Sequence, residues 1–501
     1  MTLYKQNIFL SLNIFLCVIF LLFSFTLLRA DLTSLARNDA YPVFTTLNFD
    51  ETLLLTKQQE YYKKRDDADK KKDRFCFSIS PFGQNANQGT KIKGHPCRTA
   101  DCSDFNIPDC STCIPLDGPV AINNALGDLT GRSGMLALLY GKIPTSATNP
   151  NPFKDSKSYL SMAFSQFFVG ETPGTISDAQ FIDPLQLFSY YSFPLNYRKR
   201  GVRFQLACKI YDDFGFTIQT GASSIRQVVE ARINLTNASE NAGNIPFNED
   251  INIADVNQYL MNVLDNIAEE INLNINDLNQ ASMEEVRFNL FWRHAFEINN
   301  DKTPEWAQFL CIPYFEASGS ISPGEVRKPN QLFAAPFGNN GHSSAGCTAG
   351  INFDFPDTIE FGGEVGFTHF FKKSFCDYPV PSSKFQTTIF PFQTNVSIQP
   401  GNNWHFGFRI AAYHFLENLS TYFEWLVIDH KKDKICLEVP DDAFLPYILE
   451  ELSTFKTKMG NLGFNYDVSP NIGLGFLWQI PFSQRNTYRS STVMGGINIT
   501  F

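Results

Sequence analysis

From Gly134 onward the chain alternates apolar and polar residues with a period of two, segment after segment. That period places successive side chains on opposite faces of a strand. Between Val202 and Tyr211, Val202, Phe204, Leu206, Cys208 and Ile210 share one face, and Arg203, Gln205, Lys209 and Tyr211 the other. Past an Asp212-Asp213 turn, Phe214, Phe216 and Ile218 oppose Thr217 and Gln219, which predicts a tight hairpin. The pattern recurs with Phe288, Leu290, Trp292, Phe296 and Ile298 against Asn289, Arg293 and Glu297, and with Val365, Phe367 and Phe371 against Glu364 and Thr368. Trp404, Phe406, Phe408 and Ile410 oppose His405, Arg409 and Tyr413, while Phe423, Trp425 and Val427 oppose Tyr422 and Glu424. Ile472, Leu474, Phe476, Trp478 and Ile480 oppose Gly473, Gly475, Leu477 and Gln479.

Any one of these segments fits the half-buried face of a soluble sandwich. Most of them run about 9 to 11 residues, however, the length a tilted strand needs to cross a bilayer. Strands of soluble proteins average about 5 to 6 residues. The last stretch, Thr492 to Phe501, repeats the alternation, with Val493, Gly495, Ile497, Ile499 and Phe501 on one face. The expected fold is therefore all-β, a closed antiparallel transmembrane β-barrel of about 12 to 16 strands, about 14 being the best single value. Residues 74 to 501 make up this barrel, with Arg74 to Ser80 as its first strand and 83 to 131 as a long loop.

Two stretches switch to helical spacing. In 249 to 272, Ile253, Val256, Leu260, Val263, Leu264 and Ile267 recur at that period, and in 445 to 459 so do Ile448, Leu449, Leu452 and Phe455, with Pro446 at a first helical position. They predict amphipathic insertions in long connections, whose apolar faces cap the barrel, enter its lumen or meet a partner; capping is the default. Residues 31 to 73 end in a charged run from Lys57, which reads as a solvated extension or a plug segment.

Composition agrees with strands. The 501 residues include 49 Phe, 43% are hydrophobic and the formal net charge is −10, so no nucleic-acid partner is expected. The mean hydropathy is slightly negative, as alternation requires and a bundle of membrane helices would not show. Lys5, the apolar run from Ile8 through Leu28 and then Ala30 form a signal peptide over residues 1 to 30; Ala36, with Ser34 two residues before it, is the better cleavage point. An uncleaved anchor is the alternative, since about 20 apolar residues span a membrane. Setting Cys17 aside leaves ten of the 11 cysteines, an even number that suits disulfides in an exported chain. Cys97, Cys102, Cys110 and Cys113 are bunched, and a disulfide-stapled loop fits them better than a zinc module.

On Val493, Ile497, Ile499 and Phe501 the chain resembles Gram-negative outer-membrane β-barrel proteins, whose assembly machinery recognises a final strand of alternating apolar residues ending in Phe. The resemblance implies an outer-membrane location after cleavage of an export signal, with the lipid bilayer and the assembly machinery as partners. Porins usually lack cysteine. The cysteine content looks more like the envelope proteins of chlamydia-type bacteria, which implies disulfide-linked or oligomeric self-association.

If the apolar face meets lipid, the opposite face lines a lumen. Arg203, Lys209, Arg293 and Arg409 then stand there beside Glu297, Glu364 and Glu424, either setting the selectivity of a pore or forming salt bridges in its wall. His342 and Ser344, two apart on one strand face, resemble the His-x-Ser of outer-membrane phospholipases, but Ala345-Gly346 stands where that family has Asn-Gly. No His-Glu-x-x-His pair, phosphate loop or dinucleotide fingerprint occurs, so neither metal nor cofactor is expected. The first functional reading is a porin-like channel for passive diffusion of small solutes. The second is a non-conducting, disulfide-linked structural or adhesive surface barrel, and the third an outer-membrane lipase.

Overall fold

The computed structural model describes residues 75–86, 126–128, 138–139, 141–167, 172–174, 191–211, 213–230, 232–234, 253–298, 309–355, 359–383, 386, 389–416, 418–469, 471–485, 487 and 489–501. The expected signal peptide, the charged extension and Cys97, Cys102, Cys110 and Cys113 lie outside the described residues.

In chain order the strands are β1 (Phe75–Ala86), β2 (Leu126–Asp128), β3 (Tyr191–Tyr211), β4 (Phe214–Val229), β5 (Ile233–Asn234), β6 (Leu278–Met283), β7 (Val286–Arg293), β8 (Phe296–Ile298), β9 (Phe309–Ile321), β10 (Ser344–Phe355) and β11 (Ile359–Phe370). They continue with β12 (Lys373–Pro379), β13 (Gln393–Gln399), β14 (Asn403–Leu416), β15 (Leu419–His430), β16 (Lys434–Leu437), β17 (Phe455–Ser469), β18 (Ile472–Arg485) and β19 (Ser491–Thr500). The helices are α1 (Tyr159–Phe167), α2 (Ile253–Asn262), α3 (Leu264–Glu270) and α4 (Pro446–Ser453).

Twelve strands close into one antiparallel barrel, in the order β1, β3, β4, β7, β9, β10, β11, β14, β15, β17, β18 and β19, with β19 pairing back on β1. Closure leaves no open edge, which a bilayer requires of a sheet. Among the described residues no helix is long and apolar enough to cross a membrane. The alternation read from the sequence is the alternation of the wall. Phe204, Phe288, Leu290, Val365, Phe406, Phe408, Trp425, Leu474, Phe476 and Trp478 are exposed on its outside, whereas Asn289, Glu364, His405, Arg409, Glu424 and Gln479 are buried within. At the closing seam Val493, Ile497 and Ile499 face out, while Thr492, Asn498 and Thr500 face in.

The best single strand number expected, about 14, exceeds the observed twelve. β12, β13 and β16 form a separate three-stranded sheet, and β2, β5, β6 and β8 are short extensions beside barrel strands. Strand pattern alone does not tell a wall strand from one in a connection. Two boundaries also differ. β1 continues through Ala86 into the expected loop, because Gln84 and Ala86 keep the inward alternation. The helix expected over 445 to 459 ends at Ser453, and Phe455 begins β17, where it stacks on His430 at 4.7 Å instead of lying on a helix face.

At one end the connections near 211–214, 355–359, 416–419 and 469–472 are short and the one from Arg293 to Phe309 is longer, while at the other end all but 485–491 are long. The long ones fold together into a cap. Leu138, Leu160, Phe164, Leu260, Leu264, Ile267, Leu332 and Phe337, drawn from three connections, share one apolar core. A second core joins Phe375, Phe392, Val396 and Ile398 to Ile435, Phe444 and Leu449. Phe153 packs against both, with ring centroids 5.9 Å from Phe164 and 6.3 Å from Phe392. Each such side chain contributes about 1.5–3 kcal/mol when buried, which explains why α2, α3 and α4 lie against the cap. The first core also includes Ala86, Tyr197 and Ile225, which are residues of the barrel wall. The cap therefore seats in the barrel mouth rather than standing above it.

Candidate lumenal site

From mid-wall on β9 through β18 to the cap end of β19, β1 and β3, polar side chains on consecutive strands touch in a belt. Tyr314 Oη on β9 donates to Glu364 Oε2 on β11 at 2.8 Å. His405 Nε2 on β14 lies 3.4 Å from Thr348 Oγ1 on β10 and 3.6 Å from Glu364 Oε1. Arg409 on β14 is the register partner of Glu424 on β15, and its guanidinium stacks 4.9 Å above the Tyr422 ring. Asn461 Nδ2 on β17 donates to Glu424 Oε2 at 2.7 Å, and Gln479 Nε2 on β18 to Asn461 Oδ1 at 3.1 Å. Thr492 Oγ1 on β19 then donates to Gln479 Oε1 at 3.4 Å, Gln84 Nε2 on β1 to Thr492 Oγ1 at 3.0 Å, and Tyr197 Oη on β3 to Gln84 Oε1 at 3.4 Å.

Glycines make the belt lie flat. Tyr314 faces Gly350 in the register, His405 faces Gly366, Glu364 faces Gly407 and Tyr422 faces Gly463. A Cβ at Gly350, Gly366 or Gly463 would collide with the side chain opposite it. Each large residue thus leans along the wall over a neighbouring glycine strand, as large residues do when they cover cross-strand glycines in a sheet. Tyr314 reaches across β10 to β11, and His405 across β11 to β10.

Of the residues expected along the lumen, Glu364, Arg409 and Glu424 come together in this belt. Arg203 lies apart, toward the cap, where its Nε is 2.9 Å from Glu284 Oε2 and Lys199 Nζ is 2.5 Å from Glu284 Oε1. That trio secures the connection carrying α2 and α3 to the barrel rim. Lys209 and Arg293 sit near the short-turn end, Arg293 with its guanidinium 5.6 Å from the centroid of the Phe291 ring. Glu297 pairs through its backbone with Leu310, and its side chain lies outside the described residues. The sequence reading did not single out Tyr314, Asn461 or Gln84. Glycines at inward positions, such as Gly350 and Gly463, were the available signal, because they mark where a large neighbour needs room.

His342 and Ser344 do not share a strand face. His342 precedes β10, and its Nδ1 meets the Phe371 carbonyl at 2.8 Å. Burial, partly offset by that carbonyl, lowers its pKa, so the neutral ring donates from Nδ1. Ser344 Oγ instead contacts Ser320 Oγ at 2.7 Å, and Asn339 Nδ2 donates to Ser320 Oγ at 3.0 Å. Both serine hydroxyls belong to a hydrogen-bonded chain under the cap. Cys311, Cys347, Cys376 and Cys436 are thiols.

Among solved structures, the fold is similar to an outer membrane channel from Pseudomonas putida F1, at 7% identity and a TM-score of 0.40, over 87% of this chain and 99% of that one. It is also similar to the NanC porin, at 8% identity and a TM-score of 0.29 over 60% and 94% of the two chains. The translocator domain of autotransporter NalP from Neisseria meningitidis matches at 7% identity and a TM-score of 0.29, over 90% and 96%. No protein-family model matches the sequence, and no curated protein matches it. The assignment as a membrane-type β-barrel rests on this chain's own features: a closed sheet of twelve strands, apolar outside and polar within.

Proposed function

We propose that this chain is an outer-membrane channel for passive diffusion of small polar solutes, with the belt around Glu364, Arg409 and Glu424 as its constriction. One observation carries the reading: ionisable and amide side chains line consecutive strands within, whereas Phe, Trp, Ile and Leu cover the outside. A barrel that served only as an anchor has no need of a continuous polar belt held flat against its wall. Two carboxylates beside one guanidinium favour small cations. In such barrels short turns face the periplasm and long connections the exterior, so the cap is the outward-facing part. Export through a cleaved signal peptide and insertion by the assembly machinery belong to the same reading.

A second reading, a non-conducting surface barrel, is favoured by the seating of Tyr197 and Ile225 in the cap core. Planar-bilayer recording of the full chain, alongside a variant whose cap core is loosened by Leu264→Asp, separates the two. Cation-preferring current in either protein, with the preference lost in Glu364→Gln, supports the channel. Intact folded barrels that pass no current in both proteins would sink it and leave the surface barrel. The histidine and serine near β10 have no nucleophile–base contact, and no enzymatic activity is proposed.

A further inference from the structure

On the outside of the barrel, β3 and β4 carry two arginines directly opposite each other. Arg198 and Arg226 are register partners, both exposed. Arg200, the next outward residue of β3, is exposed as well. Like charges placed directly across a sheet destabilise it. Among the described residues the wall offers only an indirect counter-charge. Arg198 Nε donates to Asn196 Oδ1 at 3.3 Å, and no carboxylate among the described residues forms an ion pair with Arg198, Arg200 or Arg226. Acidic groups of the same rim are engaged elsewhere: Asp265 by Arg232 at 2.7 Å, Asp277 by the Val229 amide at 2.9 Å and Glu230 by Asn196 at 3.4 Å. The rim of β15 differs, since Lys431 and Lys456 flank Asp429 at 3.4 and 3.9 Å and Lys432 lies 3.6 Å from Glu450.

The surroundings of the three arginines are small. Arg200 pairs with Gly83 on one side and Ser224 on the other, and Ser224 pairs with Ala281. A Cβ at Gly83 would meet nothing within 4 Å. Immediately toward the short-turn end the outward face becomes apolar, with Val202, Phe204, Leu206 and Ile210 on β3 and Met283 beside Ala222. Val202 to Ile210 is nine residues, at the lower end of the about 9 to 11 that a tilted strand needs to cross the lipid-facing band. The arginines thus stand where that band ends, at the level of lipid headgroups on the long-connection side.

We propose that Arg198, Arg200 and Arg226 form a site for the phosphorylated headgroup of a lipid in the leaflet on the cap side, with its acyl chains lying along Val202, Phe204 and Met283. Guanidinium groups fit phosphate oxygens with paired hydrogen bonds, and an anion between them removes the repulsion that the wall leaves in place. The proposal rests on the apolar wall facing lipid and not on conduction through the lumen.

Native mass spectrometry of the folded full chain in neutral detergent, with diphosphorylated lipid A as the probe, tests it. Wild type is expected to retain the lipid, and Arg198→Gln/Arg226→Gln to weaken retention on the order of tenfold or more. Lys431→Gln/Lys432→Gln, on the other wall, is expected to match wild type. Equal loss in both double variants, equal retention of dephosphorylated lipid A, or full displacement by inorganic phosphate would each overturn the site. Arg226→Glu supplies a second reading that needs no ligand. It sets opposite charges across the ladder, so in neutral detergent the heat-induced mobility shift should move to higher temperature while lipid retention is lost. A shift to lower temperature in a folded variant would refute the repulsion on which the site depends.

Discussion

Arg409 and Glu424 are direct partners across the β14–β15 ladder, and Glu424 has 0% of its surface exposed. A buried carboxyl group depends on the polar partners around it, and here Asn461 Nδ2 donates to Oε2 at 2.7 Å while Arg409 lies across the ladder. Arg409→Met leaves Glu424 and Glu364 without their guanidinium. The expected loss is about 3–5 kcal/mol of barrel stability, read by urea unfolding in detergent. Asn461→Ala is expected to cost less, about 1–3 kcal/mol. A loss below that for Arg409→Met would mean that water, not the arginine, balances the carboxylates.

The glycines opposite the belt give a steric counterpart. Gly463→Val puts a branched side chain where Tyr422 lies, pushing the ring and the Arg409 stacked on it toward the lumen. Overpacking of this kind costs about 1–3 kcal/mol. If the channel reading holds, single-channel conductance should fall at the same time, because the belt no longer lies along the wall. Gly495→Val, on the lipid side with open space around it, is the matched control and should change neither quantity.

Asp441 clasps two connections of the cap. Its Oδ2 accepts from the amides of Thr145 and Ser146 at 2.8 and 3.0 Å and from both hydroxyls at 3.1 Å, while Oδ1 accepts from the Ala443 amide at 2.9 Å. Burial by itself would raise the carboxyl, but these donors outweigh it and hold its pKa at about 2, below its ordinary 3.8. A depressed folded pKa stabilises the cap above the unfolded value and loses that contribution as pH falls from about 4 to about 2. Protection factors at 145–146, taken against the intrinsic exchange rate at each pH, should fall over that window while those of the barrel amides stay high. Asp441→Asn, which retains acceptor capacity without charge, should show lower protection factors that no longer depend on pH there.

On the lipid side, Phe408 is exposed near mid-wall, two residues from Phe406 on the same face. Phe408→Arg should cost roughly 2–4 kcal/mol in a bilayer and much less in a detergent that wets the guanidinium. Equal loss in both media would place β14 outside the lipid-facing wall. At the seam, Phe75 and Phe501 exchange backbone hydrogen bonds of 3.0 Å in both directions and stack at 5.8 Å. Phe501→Ala should remove about 0.5–1.5 kcal/mol of that pairing, seen as a lower temperature for the heat-induced mobility shift.

The wall was legible in the sequence because each strand has one apolar and one polar face, and a one-residue error would invert it. Phe406 and Arg409 were assigned to the right sides for that reason. The number of strands was less so, since β13 carries the same local preferences as a wall strand and only its partners, β12 and β16, remove it from the barrel. The belt was half legible. Glu364, Arg409 and Glu424 announce themselves by charge, but their meeting depends on which strands become neighbours across long connections. Tyr314 reads locally as one more aromatic residue, and only its glycine partner and the carboxylate two strands away give it a place.

The cap's composition also bears on the order in which the molecule forms. Leu160, Leu264, Phe337 and Ile389 share one core although long stretches of chain separate them. Bringing such segments together early carries a loop-closure cost that no local contact offsets. Once the strands have paired around the ring, their ends hold these connections side by side, and most of that cost has already been met. Cap assembly should therefore follow barrel closure as a late kinetic phase. Protection of the Leu264 region from protease would then report that the circle of strands is complete, which no property of a single strand can do.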